Sequence, residues 1–227
     1  MGEVMVTGAT GGIGRAVVAA LVAAGHQVTA VGRDPARLRS LGGVRVVTAD
    51  LAEPQALAKR IEPPDQLDAL VYCAGVSLAA IAPVAGTGPA AWQETMTVNA
   101  LAAAELTRLV LPALRRSRGH AVFINSARGV RAAPGWSAFA ASKAALQELA
   151  DSLRAEEAGS GVRVTTIYPG ATATGHLREV RAAFGRDYDP QQCTTPETLA
   201  AMVAWVLAAP PDAYASELSV LAAPRGN

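Results

Sequence analysis

The chain has 227 residues, 51% of them apolar and 17% charged, with a formal net charge of +1. It is long enough to bury a sizeable core and too apolar to be disordered, and a charge near zero gives no reason to bind nucleic acid or an acidic membrane. Apolar runs break at Arg, Gly or Pro short of the ~20 residues of a membrane span, the opening MGEVMVTG does not read as a secretory signal, and Cys73 and Cys193 are too few for a disulfide framework or a metal site, so a cytoplasmic protein without metal is expected.

Val4-Met5-Val6 reads as a short buried strand. It runs into Thr7-Gly8-Ala9-Thr10-Gly11-Gly12-Ile13-Gly14 and then an apolar-periodic helix from Arg15 to Leu21. A glycine turn between strand and helix lets the backbone approach a pyrophosphate, which sits on free N–H groups at the helix start. The second strand, Gln27–Val31, ends Gly32-Arg33-Asp34. Gly32 leaves room where a carboxylate would take a ribose 2′-hydroxyl, and Arg33 can pair with a 2′-phosphate, which favours NADP. NAD stays open, because Asp34 is only one residue further on. The third strand, residues 44–49, closes on Asp50-Leu51, where Asp50 meets either an adenine amino group or the next helix start.

Residues 67–73 form a fourth strand ending Ala74-Gly75, small enough for a cofactor to lie against the backbone. A long helical stretch follows Gly88-Pro89 to about Arg116, with Asn99 among apolar neighbours. The fifth strand, residues 121–125, delivers Ser126 at its C-terminal end, where open α/β sheets place ligands. Phe139 and Lys143, four apart on an Ala-rich helix, share one face. Residues 162–168 make a sixth strand ending Pro169-Gly170. Residues 171–195 lack strong periodicity and read as a mixed loop, a candidate substrate lid carrying His176, Arg178, Arg181, Tyr188 and Asp189. A helix from Pro196 to Leu207 and a strand at 217–221 close the chain. Alternating strands and helices imply a parallel sheet covered on both faces.

Taken together and in order, these pieces resemble the short-chain dehydrogenase/reductase family over essentially the whole chain. The match rests on Thr7-Gly8-x-x-x-Gly12-Ile13-Gly14, Asp50-Leu51, Ala74-Gly75, Asn99, and Ser126 with Lys143 followed by Pro169-Gly170. The resemblance implies one Rossmann-type domain over residues 1–227, with a doubly wound seven-stranded parallel sheet, a nicotinamide cofactor, and a homotetramer or homodimer packed through the helices of Asn99 and Lys143. It implies that Ser126 bonds the substrate oxygen and that Lys143 binds the nicotinamide ribose and lowers a neighbouring acid's pKa. Asn99 would hold a water in a proton relay, and Thr172 and Thr174 would sit by the carboxamide and pyrophosphate. Two positions depart from the pattern. Tyr72-Cys73 stand where the family often has two asparagines. Phe139, thirteen residues after Ser126 and four before Lys143, stands where the family's catalytic tyrosine belongs.

Phe139 keeps the ring and removes the proton, so turnover is expected to be low. The intact Ser126, Lys143 and Asn99 favour a Tyr→Phe variant of an active NADP(H)-dependent reductase. The alternatives are a natural member with another proton donor, such as Tyr188 or His176, or one whose substrate needs none, such as a protonated imine. A third reading is a cofactor-binding sensor without catalysis. Arg128 and Arg131 read as solvated loop residues or contacts to an anionic substrate, and Trp136 as a pocket wall or an interface residue. His26 and His120 read as structural, and Cys193 as an unreactive thiol. The Ala, Val, Ile and Pro content of residues 76–92 points to an apolar or aromatic carbonyl substrate.

Overall fold

The structure, a computed structural model, describes residues 2–127, 134–210 and 212–224; Arg128 and Arg131 lie outside these. Seven strands form one sheet: β1 (Glu3–Thr7), β2 (Gln27–Gly32), β3 (Arg45–Thr48), β4 (Ala69–Tyr72), β5 (His120–Ile124), β6 (Arg163–Pro169) and β7 (Glu217–Val220). Their order is β3-β2-β1-β4-β5-β6-β7, and every neighbouring pair is parallel. β4 and β5 are buried at every residue, as expected of central parallel strands covered on both faces. The order reverses between β1 and β4, the topological switch point at which such sheets hold ligands beyond the strand C-termini.

Eight α-helices are described: α1 (Gly12–Ala23), α2 (Pro35–Arg39), α3 (Leu57–Arg60), α4 (Pro89–Met96), α5 (Ala102–Ser117), α6 (Ser137–Glu156), α7 (Gly175–Ala183) and α8 (Pro196–Leu207). One face of the sheet buries Val17, Val18 and Leu21 of α1 with Val203 and Val206 of α8. The other buries Leu106, Val110 and Leu114 of α5 with Leu146, Ala150 and Leu153 of α6. These i, i+3/i+4 spacings put each apolar stripe on the sheet. The result is the doubly wound α/β architecture expected from the alternation of strands and helices.

The helical stretch Pro89–Ser117 is long and apolar enough to cross a membrane, but its most apolar window is 56% buried inside the protein, so that hydropathy serves the core. Asn99 does not sit in regular α-helix. Residues Thr97–Leu101 form a π turn between α4 and α5, an irregularity often found at functional sites.

One expectation needs correction. Residues 171–195 are not simply loop, because α7 lies inside them. Thr174 caps it, its Oγ1 accepting from Leu177 N at 3.1 Å, and Val180 is its buried residue. A single buried position leaves little periodicity to read. A bridge between Thr172 and Thr194 ties the ends of the segment together.

Candidate active site

The turn after β1 is shaped by glycines that no other residue could replace. Gly8 has φ +59°, and a Cβ on it would lie 2.9 Å from the backbone of Ala74. A Cβ on Gly14 would lie 2.2 Å from Gly8 O, so α1 presses directly on the turn. Gly11 caps α1 without a side-chain bond, and the first turn carries no acidic residue. The opening N–H groups of α1 are thus left for an outside acceptor. Gly12 faces the Thr174 methyl across the cleft. Ala74 N donates to Thr7 Oγ1 at 3.3 Å, which pins the β4 end to the same turn. A dinucleotide's pyrophosphate fits this cradle.

At the end of β2, Asp34 Oδ1 accepts from Ala36 N and Arg37 N at 2.9 and 3.1 Å. That oxygen caps α2, so the carboxylate is drawn toward the helix start rather than held free for a ribose. Arg33 is exposed and has no ion-pair partner among the described residues. Arg37, which sequence reasoning passed over, donates from Nη2 to Thr10 O at 2.9 Å and sets a second cation beside the glycine turn. A basic residue in the first turn after β2 was the available signal. Asp50 accepts from Ala52 N at 2.9 Å, so it stabilises the turn that follows β3, and Leu51 beside it is buried.

A cavity of about 410 Å³ opens at the C-terminal edge of β4, β5 and β6. Ser126, Phe139 and Lys143 border it together, with Ile13, Gly75, Pro169, Gly170, Thr172 and Thr174. Gly8, Thr10, Arg33, Asp50, Leu51 and Ala74 lie outside its walls, around the cradle and the ends of β2 and β3. Lys143 is 9% exposed; its Nζ donates to Ile124 O at 3.0 Å and lies 5.9 Å from the centre of the Phe139 ring. Burial holds its ammonium down to about 8, partly offset by the neighbouring Cys73. The Phe139 ring stacks on Trp136 at 4.5 Å, and Trp136 meets Phe184 edge-on at 5.5 Å. Trp136 therefore walls the cavity.

Asn99 stands behind Gly75. A Cβ on Gly75 would be 3.3 Å from Asn99 Oδ1 and 3.5 Å from Lys143 Nζ. Its amide is spent on the protein: Oδ1 accepts from Val76 N, and Nδ2 donates to Val76 O and Ser142 Oγ. Thr174 Oγ1 accepts the cap bond of its helix at 3.1 Å and keeps its proton to donate, and Thr172 Oγ1 donates to Gly170 O at 3.1 Å.

The family pattern of short chain dehydrogenases matches residues 3–184. This chain belongs to the short-chain dehydrogenase/reductase family. Its sequence is 32% identical over 222 residues to the NADP-dependent 3-hydroxy acid dehydrogenase YdfG of Salmonella typhi, covering 91% of this chain and 89% of that protein. The closed form of serine dehydrogenase complexed with NADP+ superposes with a TM-score of 0.85 at 26% identity, over 96% of this chain and 94% of that one. A short chain dehydrogenase of Escherichia coli CFT073 complexed with NADPH gives 0.82 at 28% identity, over 96% and 95%.

Within this member of the family, the departure at Tyr72-Cys73 has a structural answer. Tyr72 is fully buried and its hydroxyl donates to Val98 O at 2.6 Å, so the strand-end bond is rerouted onto the backbone beside Asn99. Burial raises its pKa, which keeps the phenol protonated as a donor. Tyr72→Phe should leave Val98 O without that donor and cost about 1–3 kcal/mol, read as a lower urea midpoint at unchanged slope. Cys73 faces Lys143, and burial pushes its thiol up to about 12, so it stays protonated. His120 bonds Thr165 Oγ1 at 2.7 Å inside the sheet, away from the cavity, with burial pushing it down to about 3. Cys193 is a buried free thiol.

Two polar residues join the site from outside the expected set of catalytic and cofactor residues. His176 and Ser77 both border the cavity, with His176 Nε2 2.8 Å from Ser77 Oγ. His176 had been a candidate donor; Ser77 had not been singled out. Tyr188, the other candidate, is not on the cavity wall, and its ring lies 5.4 Å from the Arg178 guanidinium.

Proposed function

We propose that this chain is an NADP(H)-dependent oxidoreductase that interconverts a small carbonyl compound and its alcohol, held to low turnover by Phe139. The observation that carries this is the convergence of Ser126, Lys143 and the Phe139 ring on one cavity beside a glycine cradle. The bound nicotinamide supplies or accepts the hydride. Ser126 holds the substrate oxygen. Lys143 holds the nicotinamide ribose and, as a buried cation, favours an anionic oxygen nearby. Phe139 orients the substrate but offers no proton. The test is NADPH oxidation over a panel of ketones, aldehydes and imines by this chain beside its Phe139→Tyr form; failure of the Tyr form to bind or oxidise NADPH would sink the reading.

The preference for NADP rests on Arg33, exposed and without an ion-pair partner among the described residues, and on the use of Asp34 Oδ1 as a helix cap, and the NADP of the relatives agrees. Arg33→Gln should cost NADPH about 1.5–3 kcal/mol of a charge-assisted contact, or roughly 10- to 100-fold in Kd, and leave NADH unchanged. Equal weakening of both cofactors would overturn it.

The Trp136–Phe139–Phe184 wall suits an apolar or aromatic substrate. Arg181 and Arg186 also border the cavity and favour, as a second reading, a hydroxy or oxo acid like those of the similar enzymes. The segment 171–195, with α7 inside it, serves as the substrate lid of a single domain. Exposed Leu101, beside Asn99, supports a homodimer or homotetramer packed through that stretch. Two free cysteines suit the cytoplasm.

A further inference from the structure

Phe139 leaves a proton to be supplied, and the cavity wall limits what can supply it. Its titratable side chains among the described residues are Cys73, Lys143, His176, Arg181 and Arg186. Arginine does not titrate in this range. Cys73 stays protonated well above neutral pH. The Lys143 ammonium is turned onto Ile124 O and is needed at the ribose. His176 remains. It is the second residue of α7, on the lid, and its Nε2 lies 2.8 Å from the Oγ of Ser77, two residues after Gly75 and 1% exposed. A lid side chain and a residue beyond the β4 end thus meet across the cavity. Ser77 anchors one ring nitrogen and leaves the other as a second proton site. The residue is open to solvent on one side while its ring is partly covered at the cavity wall, so the ring can still exchange its proton with water.

We propose that His176, oriented by Ser77, is the proton-transfer residue of this chain in place of the hydroxyl absent at position 139. The inference rests on the oxidoreductase reading above. In reduction, the carbonyl carbon receives the hydride of bound NADPH, the C=O π pair moves to oxygen, and that oxygen takes a proton from the His176 imidazolium. NADP+ and neutral His176 remain, and water reprotonates the ring. In oxidation, neutral His176 accepts the alcohol proton as the hydride leaves for NADP+.

The direction follows from what faces the ring. Burial lowers its pKa below the ordinary 6.5, Glu179 on α7 opposes that shift, and Lys143 across the cavity reinforces it. Arg181 and Arg186 on the same wall add positive charge. His176 is therefore neutral at pH 7 and acts as a base. Alcohol oxidation should rise through a pKa below 6.5 to a plateau at neutral pH, whereas reduction should fall over the same range.

The test is His176→Gln, whose amide can still bond Ser77, made both in this chain and in the Phe139→Tyr form. The probe is the alcohol that the Tyr form oxidises fastest with NADP+, from a panel including 3-hydroxybutyrate, L-serine and benzylic alcohols. In this chain the change should lower kcat about 10²-fold, the lower end of the range for a lost general base, and erase the acid limb. In the Tyr form it should do little. NADPH binding, followed by fluorescence, should be unchanged in both. In protein saturated with NADP+, the imidazole NMR signal missing from His176→Gln should titrate below 6.5, at the pKa of the kcat/KM limb for the alcohol. Equal losses in both backgrounds, no loss in either, or an NMR pKa away from the limb would overturn the assignment. A Tyr form that neither binds nor turns over NADPH would instead remove the oxidoreductase reading itself.

Discussion

Phe139→Tyr should raise turnover by about 10²–10⁴-fold, the usual worth of a positioned general acid or base. The substitution changes chemistry at fixed shape. The Phe139 ring is 8% exposed and already clamped against Trp136, so a tyrosine adds one oxygen to an edge that borders the cavity. Lys143 Nζ is 5.9 Å from the ring centre, and the long axis of a tyrosine extends beyond that centre, so the two polar groups share one small space. A buried cation beside a phenol stabilises phenolate and lowers its pKa toward neutrality. Lys143 is itself held down to about 8, so that support weakens as pH climbs past 8. The restored enzyme should therefore lose its advantage on the alkaline side, whereas the His176 route of the Phe139 chain is flat there. A Tyr form no faster than its parent on any substrate, with NADPH bound equally by both, would leave a cofactor-binding protein as the better reading.

The elements of the sheet were legible because their residues obey local rules. β4 and β5 are short apolar runs bounded by turn residues, and α8 begins at Pro196 behind its Thr195 cap, where it was expected. The cradle was legible because Gly8 and Gly14 are demanded by geometry within seven residues. What escaped depends on where side chains go. Asp34 read as a ribose acceptor and Asp50 as an adenine acceptor or a cap, whereas the neighbouring N–H groups that each one meets are set by the turn geometry. Ser77 gave no local signal, because its partner His176 is 99 residues away. Tyr72 read as a missing asparagine, whereas its hydroxyl reaches Val98 O across 26 residues of chain. The π turn at Asn99 was hidden for a related reason. Nothing in Thr97–Leu101 opposes an α-helix; the side-chain bonds from Asn99 to Val76 and Ser142 are tertiary.

Gly14→Ala should destabilise the protein and largely abolish NADPH binding, although helix propensity predicts the opposite. Gly14 lies inside α1, where alanine is favoured over glycine by about 1 kcal/mol. Against that gain stands the new methyl, placed 2.2 Å from Gly8 O, 2.8 Å from Gly8 C and 3.1 Å from Ala9 Cα. All three are backbone atoms, so no rotamer change relieves the overlap. Either α1 moves off the turn or the turn leaves φ +59° at Gly8, which is itself packed on Ala74. Overpacking of this kind costs about 1–3 kcal/mol, with more when backbone must shift, so it outweighs the propensity gain. At the ~3 kcal/mol end of that range, where backbone must shift, less the ~1 kcal/mol propensity gain, the net loss of about 2 kcal/mol is a fall of roughly 4–8 °C in Tm for a domain of this size. Binding should suffer more than stability, because the same shift re-aims the free N–H groups of α1 that a pyrophosphate would use, each charge-assisted bond being worth about 1.5–3 kcal/mol. Gly159→Ala is the control: nothing lies within 4 Å of its Cβ, so Tm and NADPH affinity should hold. Calorimetry and fluorescence titration on the two variants measure both quantities. If Gly14→Ala bound NADPH like its parent, the cradle would not be where the pyrophosphate rests.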